Sequence, residues 1–310
     1  MAVRIGLGMG SWPFEENSSE ALWRYIDAAE EMDVDSIWLS DRVVSTAMSL
    51  EPITALAAIA GRTKKMKFGT SVVALPLRNP TILAKEIATV DFLSGGRFLL
   101  AVGIGTQDDI EYEACGVPRN QRAGRTDEAM EVMRMLWSQD HVTYHGKYFT
   151  LNDVSIQPKP TKEGFPPMWV GGRTDAALRR LARLGDGWLV SQATPKEVHE
   201  GIDKVNQWSA EFDRTIEDDH YGVLFAYCLA NSKEKAMKLS EGRLLRRRTD
   251  ATADQFSAFG TVDDMVEMME RYIEAGATKF VARPACPPQM MMSQMEQLAT
   301  EVIPRFHGRG

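Results

Sequence analysis

The sequence predicts one (β/α)8 barrel spanning residues 1–310. Eight short strand-like runs alternate with amphipathic helices, the alternation resumes after a single interruption, and no linker divides the chain. Strands that alternate with helices form parallel sheets, and eight such units in one chain favour a closed barrel over an open sheet. A doubly wound sheet of two halves is the competing fold.

The strand predictions rest on short apolar runs rich in β-forming residues. The helix predictions rest on apolar residues at helical spacing, and Pro80 suits a first helical turn, where a missing N–H costs nothing. The predicted strands span residues 3–8, 36–39, 66–73, 97–102, 168–170, 188–190, 221–230 and 279–282. The predicted helices span residues 18–32, 52–62, 80–93, 127–137, 175–184, 195–212, 233–245, 261–275 and 294–303.

An insertion near residues 141–167 breaks the alternation. Its first part, HVTYHGKYFTL, predicts a β-hairpin with Gly146 in the turn, and a proline-rich connection follows. His141 and His145 would lie about 13 Å apart along a strand, so they cannot share one metal ion. We therefore predict no metal site there.

Composition limits the class of protein. The chain is 44% hydrophobic and 25% charged, as expected of a globular protein with a large core. A net charge of −7 argues against a nucleic-acid partner, and no run of about 18 apolar residues predicts a membrane span. Three scattered cysteines and the lack of a signal-peptide pattern predict a cytoplasmic protein.

The active site of a (β/α)8 barrel lies at the carboxyl ends of the strands. The candidate segments are therefore those that follow the predicted strands. They are residues 41–42, 71–78, 103–109, 171–174 and 191–194, with an active-site loop near 241–260.

The segment from Gly171 to Thr174 follows a strand and opens a helix. Free N–H groups, the helix dipole and the Arg173 side chain could together bind an anion. Thr174 is equally suited to be the helix N-cap, so a structural and a functional interpretation both stand. A phosphate site after a later strand is common in barrels and favours the functional one.

Two other glycine motifs and an arginine cluster each allow a structural and a functional interpretation. GLGMG (6–10) and GIGTQDD (103–109) lack the third glycine or the following helix of a dinucleotide fingerprint. Gly103 and Gly105 either let a flat ligand approach the backbone or make a turn. The cluster within RLLRRRTD (243–250) is either a solvated helix end or a rim that attracts an anionic ligand.

Several segments, in order along nearly the whole chain, resemble the bacterial luciferase-like monooxygenase superfamily, and within it the branch that uses the deazaflavin coenzyme F420. The segments are WLSDRVV (38–44), GTSVVALPLRNPTILAKEIATVDFLSGGRFLLAVGIG (69–105), VTYHGKYF (142–149), PPMWVGGRTDAALRRLARLGDGW (166–188) and FGTVDDMVEMMERYIEAGATKFV (259–281).

The resemblance implies a non-proline cis peptide at Ser71–Val72, which forms a bulge behind the cofactor ring, with Arg78 anchoring the loop beyond it. It also implies that residues 171–174 hold the cofactor phosphate, and that the protein is a homodimer. The implied cofactor-binding residues are Thr70, Ser71, Val72, Gly103, Gly105, Thr106, Gly171, Gly172, Arg173 and Thr174.

The chain departs from the F420 branch at two positions. Asp41-Arg42 stands where that branch often has Asp-His, and Thr106 stands where it often has Trp, Asn or Glu, which argues against a sugar-phosphate dehydrogenase. We predict that Asp41 and Arg42 are the catalytic residues. Asp41 could accept a hydrogen bond from the cofactor, while Arg42 cannot act as a neutral base and could instead stabilise an anion.

These observations predict hydride transfer between F420 and a small organic substrate. The resemblance also allows a monooxygenase that uses reduced FMN and oxygen. A flavin-binding protein without turnover and a barrel enzyme of unrelated chemistry are the remaining alternatives. F420 is anionic, so Arg173 and the cluster Arg246–Arg248 favour it over FMN.

Overall fold

Eight parallel strands close into a barrel in the computed structural model, which describes residues 2–106, 108–161, 166–244 and 248–307. Each strand pairs with the next along the chain, and the last pairs with the first, with Lys279 opposite Arg4. The strands are β1 Arg4–Met9, β2 Ser36–Leu39, β3 Lys67–Thr70, β4 Phe98–Gly103, β5 Met168–Gly171, β6 Gly187–Ser191, β7 Tyr221–Leu229 and β8 Lys279–Pro284. This closure confirms the predicted barrel and excludes the doubly wound sheet.

Helices fill most of the connections between strands. Three of them begin at a proline whose preceding side chain caps the helix: Glu51 accepts from the Thr54 N–H, Asn79 from the Thr81 N–H and Thr194 from the Glu197 N–H. The helices are α1 Ser19–Glu31, α2 Pro52–Arg62, α3 Pro80–Ser94, α4 Asp109–Ala114, α5 Arg122–Ser138, α6 Asp175–Leu184, α7 Pro195–Ala210, α8 Lys233–Leu239, α9 Val262–Glu274 and α10 Met291–Gln297.

The structure corrects several predicted boundaries. The strand predicted over 66–73 ends at Thr70, and Val73–Ala74 forms a separate short strand that pairs with β4. The helix predicted over 233–245 ends at Leu239, before Gly242 with its φ of 75°. A strand at Ala258–Gly260, which was not predicted, pairs with β7 within the loop near 241–260.

The hairpin within the insertion is present, with Val142–His145 antiparallel to Thr150–Val154. His145 ends the first of these strands, whereas His141 precedes it with a φ of 58°. No group of three or more potential ligands could hold a metal ion among the residues described. No helix in the described part of the chain is long and apolar enough to cross a membrane. That the chain is one domain stays a prediction.

The barrel interior is filled by side chains rather than left open. Trp38 and Trp169 belong to an apolar cluster separate from the larger cluster under the helices. Glycines make room for the indole of Trp169, since a Cβ at Gly187 would lie 2.7 Å from it and one at Gly222 would lie 3.0 Å away. A filled barrel leaves its carboxyl-terminal mouth as the place for a ligand.

Candidate active site

A cleft of about 850 Å³ opens at the carboxyl ends of the strands, where the fold predicts an active site. A smaller recess of about 130 Å³ adjoins it, and the two share Ser40, Ser191, Gln192 and Arg283. The cleft is lined by Gly10, Ser11, Ser40, Asp41, Arg42, Ser45, Thr106, Gly172, Arg173, Ser191, Gln192, Arg248, Thr249, Asp250 and Arg283.

The end of β3 carries the bulge that the resemblance implied, and the Ser71–Val72 peptide is cis. The Val72 side chain lies between two glycines of neighbouring strands. A Cβ at Gly103 would be 2.6 Å from Val72 Cγ2, and one at Gly171 would be 3.0 Å from Val72 Cγ1. These glycines therefore make room for Val72, an explanation that the sequence analysis missed.

Ser71 lies at the edge of the recess. Its N–H donates to the Leu39 carbonyl at 2.7 Å, and its carbonyl accepts from Ser40 Oγ at 3.3 Å. Its own Oγ is buried, with no hydrogen-bond partner in the part of the chain that the structure describes. Because buried hydroxyls are normally bonded, Ser71 Oγ is a candidate to bond a ligand.

Asp41 is bound to the loop beyond the bulge. Its Oδ2 accepts from the Ala74 N–H at 2.9 Å and from Arg78 Nε at 3.2 Å, while its Oδ1 accepts from Arg78 Nη2 at 2.8 Å. Only 1% of the Asp41 side chain is exposed. Through these contacts Asp41 holds the loop beyond the bulge, and its catalytic role stays a prediction.

Arg42 lies on the cleft wall, as predicted, with Nη2 4.0 Å from Asp108 Oδ2. The backbone beside it is held by Glu111, a buried carboxylate that accepts from the Val43 N–H at 2.8 Å and from Thr106 Oγ1 at 3.1 Å. Thr106 also lines the cleft. Glu111 thus joins the loops after β2 and β4, a role that its place in a short helix did not indicate.

Thr70 and Gly105, both predicted to bind the cofactor, contact other parts of the protein. Thr70 is fully buried, and its hydroxyl donates to the Ala101 carbonyl at 2.7 Å and accepts from the Ala101 N–H at 3.0 Å. It therefore joins β3 to β4 inside the barrel wall and does not line the cleft. Gly105 has a φ of 78°, and a Cβ there would lie 2.5 Å from Tyr112 Oη.

The segment after β5 adopts the N-cap arrangement. Thr174 Oγ1 accepts from the Ala177 N–H at 3.3 Å, which opens α6. Gly172 has a φ of 101°, and its carbonyl accepts from Trp188 Nε1 at 2.7 Å. Gly172 and Arg173 line the cleft, so the structural role of Thr174 leaves the anion hypothesis open for its neighbours.

Four charged residues at the cleft edge form what we call the rim cluster: Arg173, Glu197, Arg248 and Asp250. Arg248 donates to both Glu197 oxygens at 2.8 Å and to both Asp250 oxygens at 2.6 and 2.9 Å. Arg173 Nη1 lies 3.3 Å from Glu197 Oε1 and 3.7 Å from Asp250 Oδ2. The predicted arginine cluster is thus neutralised at Arg248, while Arg246 and Arg247 lie outside the described residues.

The rim cluster should make the free energy of unfolding depend on pH in the acid range. The Arg248 guanidinium lowers the pKa of Glu197 to about 2, so its contribution is complete above the unfolded pKa of about 4.5 and is lost as pH falls towards 2. We expect Glu197→Gln to lower the free energy of unfolding by about 1 kcal/mol at pH 7, since solvent screens the pair. Urea unfolding of both proteins should show this difference shrink as pH falls below about 4.5 and disappear only below about pH 2.

The control for this expectation is Glu31→Gln, which removes an exposed carboxylate from the end of α1. Glu31 has no ion pair among the described residues, so its substitution should change stability little at either pH. A difference between wild type and Glu197→Gln that stays constant from pH 7 to pH 2.5 would contradict the assignment.

Arg283, at the end of β8, is a cleft residue that the sequence analysis missed. It lines both the cleft and the recess, and burial lowers its pKa to about 10, so it is charged at neutral pH. The predicted strand ended at residue 282, which left Arg283 as the first residue beyond a strand. The rule that placed the other candidates at strand ends would therefore have found it.

Known proteins resemble this chain in sequence and in fold. Residues 4–249 match the family model described as luciferase-like monooxygenase. The chain is 26% identical over 328 aligned residues to the F420-dependent glucose-6-phosphate dehydrogenase of Amycolatopsis mediterranei (strain U-32), with 96% of this chain and 97% of that protein covered.

Two solved structures share the barrel. An F420-dependent secondary alcohol dehydrogenase in complex with an F420-acetone adduct superposes with a TM-score of 0.82 at 24% identity, covering 99% of this chain and 100% of the other. The oxygenating constituent of 3,6-diketocamphane monooxygenase from Pseudomonas putida, in complex with FMN, gives a TM-score of 0.78 at 17% identity, covering 98% and 99%.

Proposed function

The chain belongs to the luciferase-like monooxygenase family and is an oxidoreductase, and we propose that it transfers a hydride between coenzyme F420 and a small organic substrate. The observation that carries the proposal is the Val72 side chain lodged between Gly103 and Gly171. It brings the ends of β3, β4 and β5 together, and we infer that they form the surface against which a flat ring rests. The same surface leads to Gly172 and Arg173 on the cleft wall.

The cleft has the size and charge that a large anionic cofactor needs. Its volume of about 850 Å³ suits a tricyclic ring with part of a polar tail. Four arginines line it, whereas its two lining carboxylates, Asp41 and Asp250, already pair with arginines. Because Glu197 and Asp250 neutralise Arg248, the cationic contacts left to an anionic cofactor are Arg42 and Arg173, and the longer oligoglutamate tail of F420 favours it over FMN there.

We assign each residue of the cleft a role in binding the cofactor or the substrate. When bound, F420 supplies the hydride chemistry. Val72 supports the ring, Ser71 Oγ hydrogen-bonds its edge, and residues 171–174 contact the phosphate. The ion pair of Asp41 with Arg78 fixes the loop beyond the bulge, and Arg42 stabilises negative charge on the ring or substrate.

An FMN-dependent monooxygenase is the second candidate. The solved structural neighbour that holds FMN supports it, because the same barrel accommodates that cofactor in another protein. A flavin-binding protein without turnover is the third candidate, since Arg42 cannot supply the proton transfer of a neutral imidazole. The alternatives differ in which cofactor binds and whether any substrate then reacts.

Calorimetric titration with F420 and with FMN, each oxidised and reduced, tests the proposal. We expect F420 to bind at least about tenfold more tightly than FMN, an advantage of about 1.4 kcal/mol. A preference for reduced FMN would support the monooxygenase instead. Binding of neither cofactor would overturn both.

Gly172→Ala tests the phosphate contact in the same titration. Its backbone has a φ of 101°, and a new Cβ would stand 3.1 Å from Ala177 Cβ at the start of α6. We expect F420 affinity to fall about tenfold. Gly95→Ala is the matched control, because Gly95 also has a positive φ of 66° but caps α3 with open space around it. Equal affinity of both variants would contradict the phosphate assignment.

We also propose that the protein is a homodimer in the cytoplasm. Large apolar side chains are exposed on α3, where Ile82 is 59% exposed, Phe92 59% and Leu93 72%. Such a patch on one helix supports burial against a second copy of the chain. All three cysteines are free, which agrees with a reducing compartment.

A further inference from the structure

Arg283 differs from the other arginines of the cleft in having no counter-charge. Arg42 lies near Asp108, Arg173 near Glu197, and Arg248 pairs with two carboxylates. For Arg283, no ion pair and no side-chain hydrogen bond exists among the residues that the structure describes. A partly buried cation without a partner is costly, so a site that retains one usually offers it to a ligand.

The chain makes specific room for this guanidinium. A Cβ at Gly10 would lie 1.7 Å from Arg283 Nη2, so the glycine after β1 is what lets the side chain lie across the barrel mouth. Gly8 is close as well, with its Cβ position 3.4 Å from Arg283 Cβ. The arginine is therefore packed in place rather than extended into solvent.

The position of Arg283 separates it from the proposed cofactor surface. That surface runs over the ends of β3, β4 and β5, whereas Arg283 ends β8. In a closed barrel of eight strands in chain order, β8 stands opposite β4. Arg283 thus faces the proposed ring position across the mouth, on the side where a substrate would lie.

The surroundings indicate which anion fits. Ser40, Ser191 and Gln192 share the recess with Arg283 and offer neutral hydrogen-bonding groups. Arg243 also lines the recess, but its Nη1 donates to the carbonyls of Leu239 and Glu241. Arg283 is thus the guanidinium of the recess with no donor engaged among the described residues, and it can bind a planar carboxylate through two parallel hydrogen bonds.

We propose that Arg283 binds the carboxylate of the substrate, so that the substrate is an organic acid held against the cofactor from the β8 side. This inference rests on the proposed function, because it assigns the ligand of the same cleft. It adds a substrate class, and it makes Arg283 the residue that selects for that class.

The test uses benzoate and benzamide as probes, since they have nearly the same shape and differ in charge. Calorimetry on the F420-loaded wild type should show benzoate binding at least about tenfold more tightly than benzamide. Arg283→Gln should remove that preference, and Arg283→Lys should keep part of it because it retains the charge. F420 affinity should stay within about twofold of wild type in both variants.

Arg24→Gln is the matched control, since Arg24 is an exposed arginine on α1 paired with Glu16. It should leave the benzoate preference intact. Equal binding of the two probes by wild type, or a preference that survives in Arg283→Gln, would overturn the proposal. A large loss of F420 affinity in Arg283→Gln would also overturn it, by assigning the arginine to the cofactor.

Failure of the proposed function is recognised separately. If the wild type binds neither F420 nor FMN, the function proposed for the cleft fails whatever the probes do. If F420 binds and the carboxylate preference is absent, only the substrate class fails.

Discussion

Replacing Gly103 with alanine should weaken F420 binding at least tenfold, a loss of about 1.4 kcal/mol, in a protein that still folds. The new Cβ would lie 2.6 Å from Val72 Cγ2, and a β-branched side chain has few rotamers with which to retreat. Overpacking of this kind costs about 1–3 kcal/mol, so the bulge must shift. Titration of F420, with circular dichroism as a check of the fold, measures the effect.

A second substitution distinguishes this steric cause from others. Val72→Ala removes both methyl groups, including the Cγ2 that meets the new side chain, so Gly103→Ala combined with Val72→Ala should recover part of the lost stability. Gly61→Ala is the control, because no atom lies within 4 Å of a Cβ at that position in α2. The packing explanation fails if the double variant is as unstable as the sum of the two single ones.

Replacing Asp41 with asparagine should lower the free energy of unfolding by about 3 kcal/mol. Asp41 is buried, and its two oxygens accept three hydrogen bonds, two of them from Arg78. Removing one charge of a buried pair leaves the other without compensation. Arg78 retains Glu51 at 3.0 Å, which moderates the loss. Chemical denaturation of Asp41→Asn and wild type measures the difference.

The same variant decides between two roles for Asp41. If it positions the loop, Arg78→Met should cause a similar loss of stability, and the double variant should lose much less than the sum. Asp27→Asn, which breaks an exposed pair with Arg62, should change stability little. If Asp41→Asn keeps wild-type stability and F420 affinity but loses turnover, Asp41 is catalytic, as the sequence analysis predicted.

The barrel could be predicted because its evidence is local. Each strand or helix is indicated by the pattern of a few neighbouring residues. Eight strand–helix units in order are compatible with few topologies. The start of α3 is an example, since Pro80 predicts the first helical turn that the structure shows. The strand Ala258–Gly260 was missed because three residues carry too short a pattern to distinguish a strand from a loop.

The site could be predicted only in part, because its contacts join residues that are distant in sequence. Arg248 and Glu197 are 51 residues apart, and Thr70 and Ala101 are 31 apart. The hydrophobic periodicity of a sequence does not indicate whether an arginine will contact a carboxylate that lies so far away along the chain. The sequence therefore indicated which segments reach the barrel mouth, while the direction of each side chain required the folded chain.

The wedge of Val72 between Gly103 and Gly171 has a consequence for how this protein can diversify. Val72, Gly103 and Gly171, at the ends of three neighbouring strands, are coupled in sequence. A larger residue at either glycine fits only if a smaller residue already stands at position 72. A change at either glycine alone is costly, so a path that enlarges one of them passes first through a smaller residue at position 72. The opposite wall has a coupled pair of its own, because a Cβ at Gly10 would lie 1.7 Å from Arg283 Nη2 at the end of β8.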